Sequence, residues 1–192
     1  MSGKRGLLVV ISGPSGVGKD TLIERLRELD PSLRYSISYT TRKPRPGEVE
    51  DVNYFFVSRR RFEELIKQGF FLEHATYNGN YYGTPAAAVE EARAAGHDIL
   101  LKIEVQGAAQ VRKRAPDGLF VFIAPPSNEE LARRQERREV GVPDEDMVER
   151  LKIAETEMKH SSEYDDVVIN DDLEQAVGEV LEIIRRARER QT

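Results

Sequence analysis

A run of small residues ending in a lysine has the composition of a phosphate-binding loop. The run, Gly13-Pro14-Ser15-Gly16-Val17-Gly18-Lys19, follows an apolar segment at 7–12 that predicts a buried strand, and it precedes a predicted helix at 20–29. Glycines let successive backbone N–H groups turn toward phosphates, the helix N-terminus adds partial positive charge, and the lysine reaches the phosphate oxygens. The pattern therefore predicts binding of a nucleoside triphosphate such as ATP. The candidate residues are Gly13, Ser15, Gly16, Val17, Gly18, Lys19, Asp20 and Thr21.

The residue after the loop lysine departs from the usual pattern. Loops of this type carry serine or threonine there, whose hydroxyl binds Mg²⁺, whereas this chain has Asp20. The hydroxyl of Thr21 comes one residue late and points to another side of the predicted helix. Carboxylate oxygens are ligands that Mg²⁺ accepts. We therefore predict that Asp20 helps to hold Mg²⁺, directly or through water.

Two arginines in a proline-stiffened segment suggest a second anion site. Arg42 and Arg45 stand three residues apart in Thr40-Thr41-Arg42-Lys43-Pro44-Arg45. Two guanidinium groups at this spacing could clamp one phosphate. An isolated pair of arginines is more often solvated surface charge. From these residues alone, both interpretations stay open.

Apolar segments alternate with helical ones over most of the chain, which predicts an α/β fold with a parallel sheet covered by helices on both faces. Strands are predicted at 7–12, 99–105, 119–123 and 167–169, and helices at 20–29, 62–67, 85–95, 105–113 and 173–190. The alternation breaks at 34–83, where Asn78-Gly79 predicts a hairpin turn. We predict a single domain with a core at 1–33, 84–126 and 163–192, an inserted mixed β/α subdomain at 34–83, and a helical lid at 127–162.

Composition narrows the classes of partner. The 192 residues carry a net charge of −5, which argues against a nucleic-acid partner, and contain no cysteine, which is compatible with a reducing cytoplasm. No segment approaches the roughly 20 apolar residues of a membrane span. The three histidines, His74, His97 and His160, share no metal-ligand spacing and are predicted to be structural or surface residues. We predict a cytoplasmic enzyme or binding domain; composition leaves the choice between monomer and homo-oligomer open.

Seven further motifs accompany the phosphate loop. They are TTRKPRPGE at 40–48, NYFF at 53–56, FLE at 71–73, GNYYGT at 79–84, VQG at 105–107, IAPPS at 123–127 and VINDDL at 168–173. Together with the loop they resemble the guanylate kinase family of P-loop nucleoside monophosphate kinases along nearly the whole chain. The resemblance implies the fold of P-loop nucleotide hydrolases and kinases. It also implies Mg²⁺-assisted transfer of a phosphoryl group from ATP to GMP, and to dGMP, in purine nucleotide metabolism.

The resemblance assigns the acceptor site position by position. It implies that the GMP phosphate is held by Arg42, Arg45, Tyr54 and Tyr82, and that guanine is bound by Ser38, Glu73, Thr84 and Glu104. Guanine presents N1–H and N2–H₂ as adjacent donors, and one carboxylate can accept both. Adenine lacks that pair and would leave a buried carboxylate unsatisfied. Without the resemblance, both glutamates would more simply be surface acids or partners of nearby arginines.

The resemblance also assigns residues on the ATP side. Arg134, Arg138 and Arg150 match arginines that close over the ATP phosphates, and Asn170 matches the adenine-side loop. Catalytic roles are implied for Lys19, Arg42, Arg138 and Arg150, because phosphoryl transfer depends on charge neutralisation and in-line positioning. The family's Arg-Gly-Thr-Glu turn is replaced here by the sequence at 138–143, so Arg150 is reached only with one extra residue.

Two other activities are compatible with single features of the sequence. Ribose-bisphosphate kinases of phosphonate metabolism resemble guanylate kinases and can carry Gly-Lys-Asp in the loop, but they lack the TTRKPR and NYFF motifs. Non-catalytic guanylate-kinase-like modules bind acidic or phosphorylated peptides, but they typically lose the loop lysine and glycines that this chain keeps.

A second departure from the family stands at Lys102, where guanylate kinases usually carry an acid. Relative to the family, a hydroxyl has become an acid at Asp20 and an acid has become a base at Lys102. One hypothesis is that the two residues form an ion pair that replaces the usual hydroxyl–acid arrangement. The alternative is that the two substitutions are unrelated.

Exchanging the two charges tests the pairing hypothesis. We expect Asp20→Lys and Lys102→Asp each to lower kcat/KM, and the double variant to recover about tenfold over the worse single variant, since coupled residues are not additive. Steady-state kinetics with ATP and GMP measure this. A double variant no better than the worse single variant would refute the pairing.

Overall fold

A parallel sheet organises the residues that the computed structural model describes, which are 4–138 and 152–191. Its strands are β1 (Leu8–Ser12), β2 (Arg34–Tyr35), β7 (Ile99–Lys102), β8 (Leu119–Ala124) and β9 (Asp166–Ile169), in the order β2-β7-β1-β8-β9. Every residue of β1 and β8 is buried, as expected for strands covered on both faces. The predicted α/β fold with a parallel sheet is therefore confirmed.

A second, mixed sheet lies between β2 and β7 in the sequence. Its strands are β3 (Tyr39–Thr40), β4 (Phe55–Phe56), β5 (Phe71–Tyr77) and β6 (Asn80–Pro85), in the order β4-β3-β6-β5. Strands β5 and β6 form an antiparallel hairpin. Asn78 and Gly79 occupy its turn with φ of 45° and 72°, as a two-residue turn of this hand requires. The predicted hairpin is therefore confirmed.

Seven α-helices are present in the described part of the chain. They are α1 (Lys19–Leu29), α2 (Arg59–Lys67), α3 (Ala86–Ala94), α4 (Val105–Arg114), α5 (Asn128–Arg138), α6 (152–158) and α7 (Leu173–Arg190). Side-chain caps explain three of the starts: Ser58 accepts from the N–H of Arg61 at 3.2 Å, Ser127 from that of Glu130 at 3.1 Å, and Asp172 from that of Gln175 at 2.9 Å. The strand predicted at 99–105 is shorter, since Glu104 is already the N-cap of α4.

The described residues divide into two compact units. The first consists of 4–8 and 32–118 and contains β2 to β7 and α2 to α4. The second consists of 9–31, 119–138 and 152–191 and contains β8, β9, α1 and α5 to α7. The predicted partition into core, insert and lid stays a prediction, and part of the predicted lid lies outside the described residues.

Helices α1 and α7 pack together in the second unit. The apolar face of α1 buries Leu22, Ile23 and Leu26 as the spacing predicts, whereas Leu29, at the last position of the helix, is exposed. Two ion pairs tie α1 to the two ends of α7, with Arg25 contacting Glu174 at 2.9 Å and Asp30, the C-cap of α1, contacting Arg188 at 2.8 Å. The fixed packing of α1 holds the phosphate loop that precedes it.

Aromatic rings form the core of the mixed sheet in the first unit. Phe62 of α2 stacks on Phe71 of β5 with ring centroids 4.5 Å apart, and Tyr39 meets Phe71 edge-on at 5.8 Å. Such aromatic pairs add to the hydrophobic effect of burial. Helix α2 thus holds β5, the strand that carries Glu73.

Arg93 of α3 is buried in the first unit, with 2% of its side chain exposed. Its Nε donates to the carbonyl of Gly6 at 3.0 Å, and its Nη2 contacts the Asp117 carboxylate at 2.5 Å. The hydrogen bond from Arg93 is the main reason that the pKa of Asp117 lies below its ordinary value. Arg93 therefore joins α3 to two segments distant in sequence.

Replacing Arg93 by methionine should lower the stability of the fold. We expect Arg93→Met to lower the free energy of unfolding by about 2 kcal/mol, because the buried Gly6 carbonyl loses its side-chain donor. Urea denaturation measures the change. Arg60→Met is the matched control, since Arg60 also lies on a helix and 90% of its side chain is exposed. Equal effects of the two substitutions would contradict a structural role for Arg93.

Candidate active site

The phosphate loop adopts a conformation that requires glycine at defined positions. Gly18 has φ of 98°, and a Cβ there would lie 2.6 Å from Asn170 Nδ2. Gly13 has φ of 144°, and a Cβ there would lie 2.2 Å from the carbonyl oxygen of Ile123. Positive φ and close backbone approach are the two reasons for which glycine is selected. The loop is therefore fitted between β8 and the segment that follows β9.

Side chains from three elements hold the backbone carbonyls of the loop. Lys19 Nζ contacts the carbonyl oxygens of Gly13 at 2.5 Å and Pro14 at 3.0 Å. Gln135 of α5 donates to the carbonyl of Ser15 at 2.7 Å, and Asn170 donates to that of Val17 at 2.8 Å. These donors account for four of the five carbonyls at 13–17.

The bound carbonyls determine where the loop amides point. In a trans peptide the N–H group lies opposite the preceding carbonyl. Carbonyls that face Lys19, Gln135 and Asn170 therefore direct the N–H groups of Ser15, Gly16 and Gly18 to the other side of the loop. Successive backbone N–H groups of a glycine-rich turn that are left for a ligand can bind an anion.

The other residues predicted for ATP binding lie in the same unit. Arg134 donates to the carbonyl of Asn170 at 2.9 Å and pairs with Glu130 at 2.8 Å. Asp20 and Thr21 are exposed in the first turn of α1. Arg138 is the last residue of α5, and Arg150 lies outside the described residues.

Asp20 supplies one carboxylate next to the loop lysine, which is enough for Mg²⁺ that arrives with a nucleotide. No cluster of three or more His, Cys, Asp or Glu residues that could hold a metal occurs among residues 4–138 and 152–191. Mg²⁺ is usually bound by one or two carboxylates together with substrate phosphates. The exposed Asp20 carboxylate directly follows Lys19, so a single protein oxygen ligand is compatible with this ion.

In the first unit, cationic and aromatic side chains form a cluster, here called the basic cluster, of Arg42, Tyr54, Tyr82 and Lys102. The Tyr54 ring lies 5.4 Å from Arg42 Cζ, 5.1 Å from Lys102 Nζ and 6.0 Å from the Tyr82 ring. Burial raises the pKa of Tyr82 above its ordinary value, so its hydroxyl stays protonated and can donate to an anion. Arg45 is exposed in the loop that follows Arg42. The cluster can bind a phosphate group.

The same unit also contains two carboxylates, Glu73 and Glu104, that form no ion pair within the part of the chain that the structure describes. Glu73 is 3% exposed, and its Oε1 accepts from the Thr84 hydroxyl at 2.6 Å. Glu104 Oε2 is buried without a hydrogen-bond partner among the described residues. Ser38, which is also predicted to bind guanine, is buried directly before β3. A buried acceptor without a donor is costly unless a ligand supplies one.

Burial raises the pKa of the Glu73 carboxyl from 4.5 to about 7. The hydrogen bonds from Thr84 oppose this rise, the negative charge of Glu104 adds to it, and the positive charge of Arg114 opposes it. Helix α4 packs closely here, because a Cβ at Gly107 would lie 2.3 Å from Glu73 Oε2. The carboxylate is therefore held in a narrow slot with little freedom to move.

Sequence reasoning missed the side chains that hold β5 in place. Gln110 donates to the carbonyl of His74 at 2.7 Å and accepts from its N–H at 3.2 Å. Arg114 donates to the carbonyls of Phe71 at 2.9 Å and Leu72 at 2.6 Å. The two residues stand four apart on α4, a spacing that places them on one helix face and could have drawn attention to them.

The raised pKa of Glu73 makes the stability of the protein depend on pH. Since the folded state binds this proton more tightly than the unfolded state, the contribution of Glu73 to the free energy of unfolding is greatest below pH 4.5 and falls as pH rises through 7. The fall is on the order of 3 kcal/mol. We expect the difference in stability between wild type and Glu73→Gln to change by this amount from pH 4.5 to 8 in urea titrations.

A second substitution tests the origin of that pH dependence. Thr84→Val removes the hydroxyl that favours the charged carboxylate, so we expect the pKa of Glu73 to rise further and the loss of stability to move to higher pH. A difference curve between wild type and Glu73→Gln that stays flat would contradict the assignment.

Comparison with known proteins places the chain in a family. The family model described as guanylate kinase matches residues 5–187. Guanylate kinase of Desulfitobacterium hafniense is 48% identical over 185 residues, which cover 96% of this chain and 92% of the relative. Guanylate kinase of Rubrobacter xylanophilus is 50% identical over 184 residues, covering 95% of each.

Solved structures agree with these relatives. The crystal structure of guanylate kinase from Anaplasma phagocytophilum has a TM-score of 0.82 at 35% identity, covering 100% of this chain and 89% of that chain. A gluconokinase from Sinorhizobium meliloti, at 18% identity and a TM-score of 0.51, shares the fold alone. The extent of the family match and the identity to the curated relatives show that the chain belongs to the guanylate kinase family of nucleoside monophosphate kinases.

Proposed function

We propose that the protein transfers the γ-phosphoryl group of ATP to GMP, giving ADP and GDP, and that it uses dGMP in the same way. The observation that carries this proposal is a pair of carboxylates that influence each other: the buried Glu73, and Glu104, whose buried Oε2 has no hydrogen-bond partner in the part of the chain that the structure describes. Both carboxylates belong to the same unit as the basic cluster. The unit thus combines acceptors for a base with cations for a phosphate.

Guanine is the purine that suits this pair of carboxylates. Its N1–H and N2–H₂ groups would donate to the oxygens of Glu73 and Glu104, while Thr84 and Ser38 would complete the contacts. A purine without those donors would leave buried acceptors unsatisfied, at a cost of about 1–3 kcal/mol for each. Bound guanine would also favour the charged form of Glu73, because donors to a carboxylate lower its pKa.

The phosphate of the acceptor is assigned to Arg42, Arg45, Tyr54 and Tyr82. Arg42, Tyr54 and Tyr82 lie together in the basic cluster. Guanidinium groups and tyrosine hydroxyls hold a phosphate monoester by charge-assisted hydrogen bonds. Arg42 is proposed to act in catalysis as well, by balancing charge on the acceptor while the phosphoryl group is transferred.

The phosphates of ATP are assigned to the loop amides, Lys19 and Arg134, and the adenine side to Asn170. Mg²⁺, when bound, neutralises part of the phosphate charge, and Asp20 is the residue that would hold it. Arg138 and Arg150 are proposed to stabilise the charge that develops on the transferred group. Lys19 would move from the loop carbonyls, which it contacts at 2.5 and 3.0 Å, to the phosphate oxygens.

The family match and the phosphate loop also bear on the two other activities that the sequence left open. The match to guanylate kinases over residues 5–187 and the intact loop favour GMP phosphorylation over ribose-bisphosphate phosphorylation and over a non-catalytic binding role.

Among the described residues, no helix has both the length and the apolar character that crossing a membrane requires. We place the reaction in the cytoplasm, which the nucleotide substrates and the cysteine-free sequence support.

A panel of acceptors tests the proposal. With Mg·ATP, we expect ADP formation from GMP and dGMP but not from AMP, UMP, CMP or ribose 1,5-bisphosphate. IMP, which lacks the 2-amino group, should be used with kcat/KM lower by about 10- to 150-fold, the effect of one lost hydrogen bond to a charged group. Turnover of ribose 1,5-bisphosphate alone, or of no acceptor, would refute the proposed function.

A further inference from the structure

Glu48 connects the two arginines that are assigned to the acceptor phosphate. Its carboxylate accepts from Arg42 Nη1 at 2.9 Å and Arg42 Nη2 at 2.8 Å, and from the backbone N–H of Arg45 at 2.7 Å. Its own N–H donates to the Arg45 carbonyl at 3.0 Å. The Glu48 side chain therefore closes the loop at 42–48 and binds the Arg42 guanidinium group through two hydrogen bonds.

The bonds to Glu48 use one particular edge of the Arg42 guanidinium. Glu48 takes the edge formed by Nη1 and Nη2, and the Lys43 carbonyl accepts from Nη1 as well, at 2.8 Å. A guanidinium has five N–H groups and a second bidentate edge, formed by Nε and Nη2. Tyr82, which is assigned to the same phosphate, interacts with this guanidinium. The second edge is suited to a phosphate.

Packing and charge keep this arrangement in place. The side chains of Arg42 and Glu48 are only 15% and 18% exposed, and Arg42 Cζ lies 5.4 and 5.9 Å from the rings of Tyr54 and Phe56. Burial raises the pKa of Glu48, but the hydrogen bonds from Arg42 and from the N–H of Arg45 outweigh it and bring the pKa below its ordinary value. Glu48 is therefore ionised at neutral pH. Because both side chains are largely buried, solvent and salt screen this ion pair less than they screen an exposed one.

We infer that Glu48 is a positioning residue for the phosphate group of the acceptor. By holding the Nη1/Nη2 edge of Arg42, it aims the Nε/Nη2 edge at the phosphate, and by bonding the N–H of Arg45 it fixes the loop that carries the second arginine. Glu48 touches no reacting atom in this role. The inference deepens the proposed function and rests on GMP being the acceptor.

This role differs from that of a competing anion. A carboxylate that merely occupied the phosphate site would have to leave when the acceptor binds, so its removal would tighten GMP binding. A carboxylate that aims Arg42 stays bound when the acceptor arrives, so its removal would weaken GMP binding. The two roles thus predict opposite changes for one substitution.

Glu48→Gln tests the inference, because it keeps the size of the side chain but removes the charge and one acceptor oxygen. We expect KM for GMP to rise at least tenfold, with KM for ATP unchanged. We expect the affinity for guanosine, measured by calorimetry, to stay within a factor of two of wild type, because guanosine has no phosphate. Glu48→Asp keeps the charge but is too short for the same bidentate contact, and it should lie between wild type and Glu48→Gln.

Glu64→Gln is the matched control, since Glu64 is a partly exposed acid of α2 that pairs with Arg60. It should leave all three quantities unchanged. Tighter or unchanged GMP binding in Glu48→Gln would overturn the inference, and so would an equal loss of GMP and guanosine affinity, which would mean that the loop had collapsed. Wild-type protein that fails to phosphorylate GMP would instead refute the proposed function.

Discussion

Burying the Glu73 carboxylate imposes conditions on every element around it. The group needs a donor, which Thr84 on the paired strand β6 supplies, and it needs space, which the missing side chain of Gly107 on α4 provides. It also needs a fixed strand beneath it, and α2 and α4 both hold that strand, through Phe62, Gln110 and Arg114. Even so, the pKa of Glu73 stays near 7, so the folded unit retains part of the cost of burial. A ligand that donates two hydrogen bonds would remove that cost. The cost of burying Glu73 therefore favours binding of a nucleobase that carries two adjacent donors.

The phosphate loop of the second unit follows a related principle. Its glycines permit the required backbone angles, but the shape is held by donors from elsewhere, namely Gln135 on α5 and Asn170 after β9. Because these donors bind carbonyls, the loop amides are oriented before any anion arrives. Such preorganisation lowers the reorganisation that binding and catalysis would otherwise require. Both sites thus depend on side chains remote in sequence that fix a group without contacting the ligand.

How far the sequence predicts this structure can be judged residue by residue. The run at 13–19 and the Asn78-Gly79 pair carry backbone requirements in their own composition, so the loop and the hairpin were predictable. Burial on both faces made β1 and β8 recognisable as apolar runs. Gln110 and Gln135 were not predictable, because their partners are backbone groups that only tertiary packing brings near. Glu48 belongs to the motif at 40–48, but its bidentate contact with Arg42 could not be read from the sequence. The apolar spacing of α1 predicted that Leu29 is buried, but this residue is exposed because it lies at the end of the helix, beyond the buried face. The ligand roles of Arg42, Tyr82, Glu104 and the other assigned residues remain predictions from family resemblance.

The contacts of Gln110 and Arg114 with β5 have a consequence for solubility. Strand β5 lies at the edge of the mixed sheet, where unpaired backbone groups would invite strand addition by another chain. The amide of Gln110 bonds both the N–H and the carbonyl of His74, much as a neighbouring strand would, and Arg114 covers the carbonyls of Phe71 and Leu72. Helix α4 therefore blocks edge-to-edge aggregation at the same strand that presents Glu73.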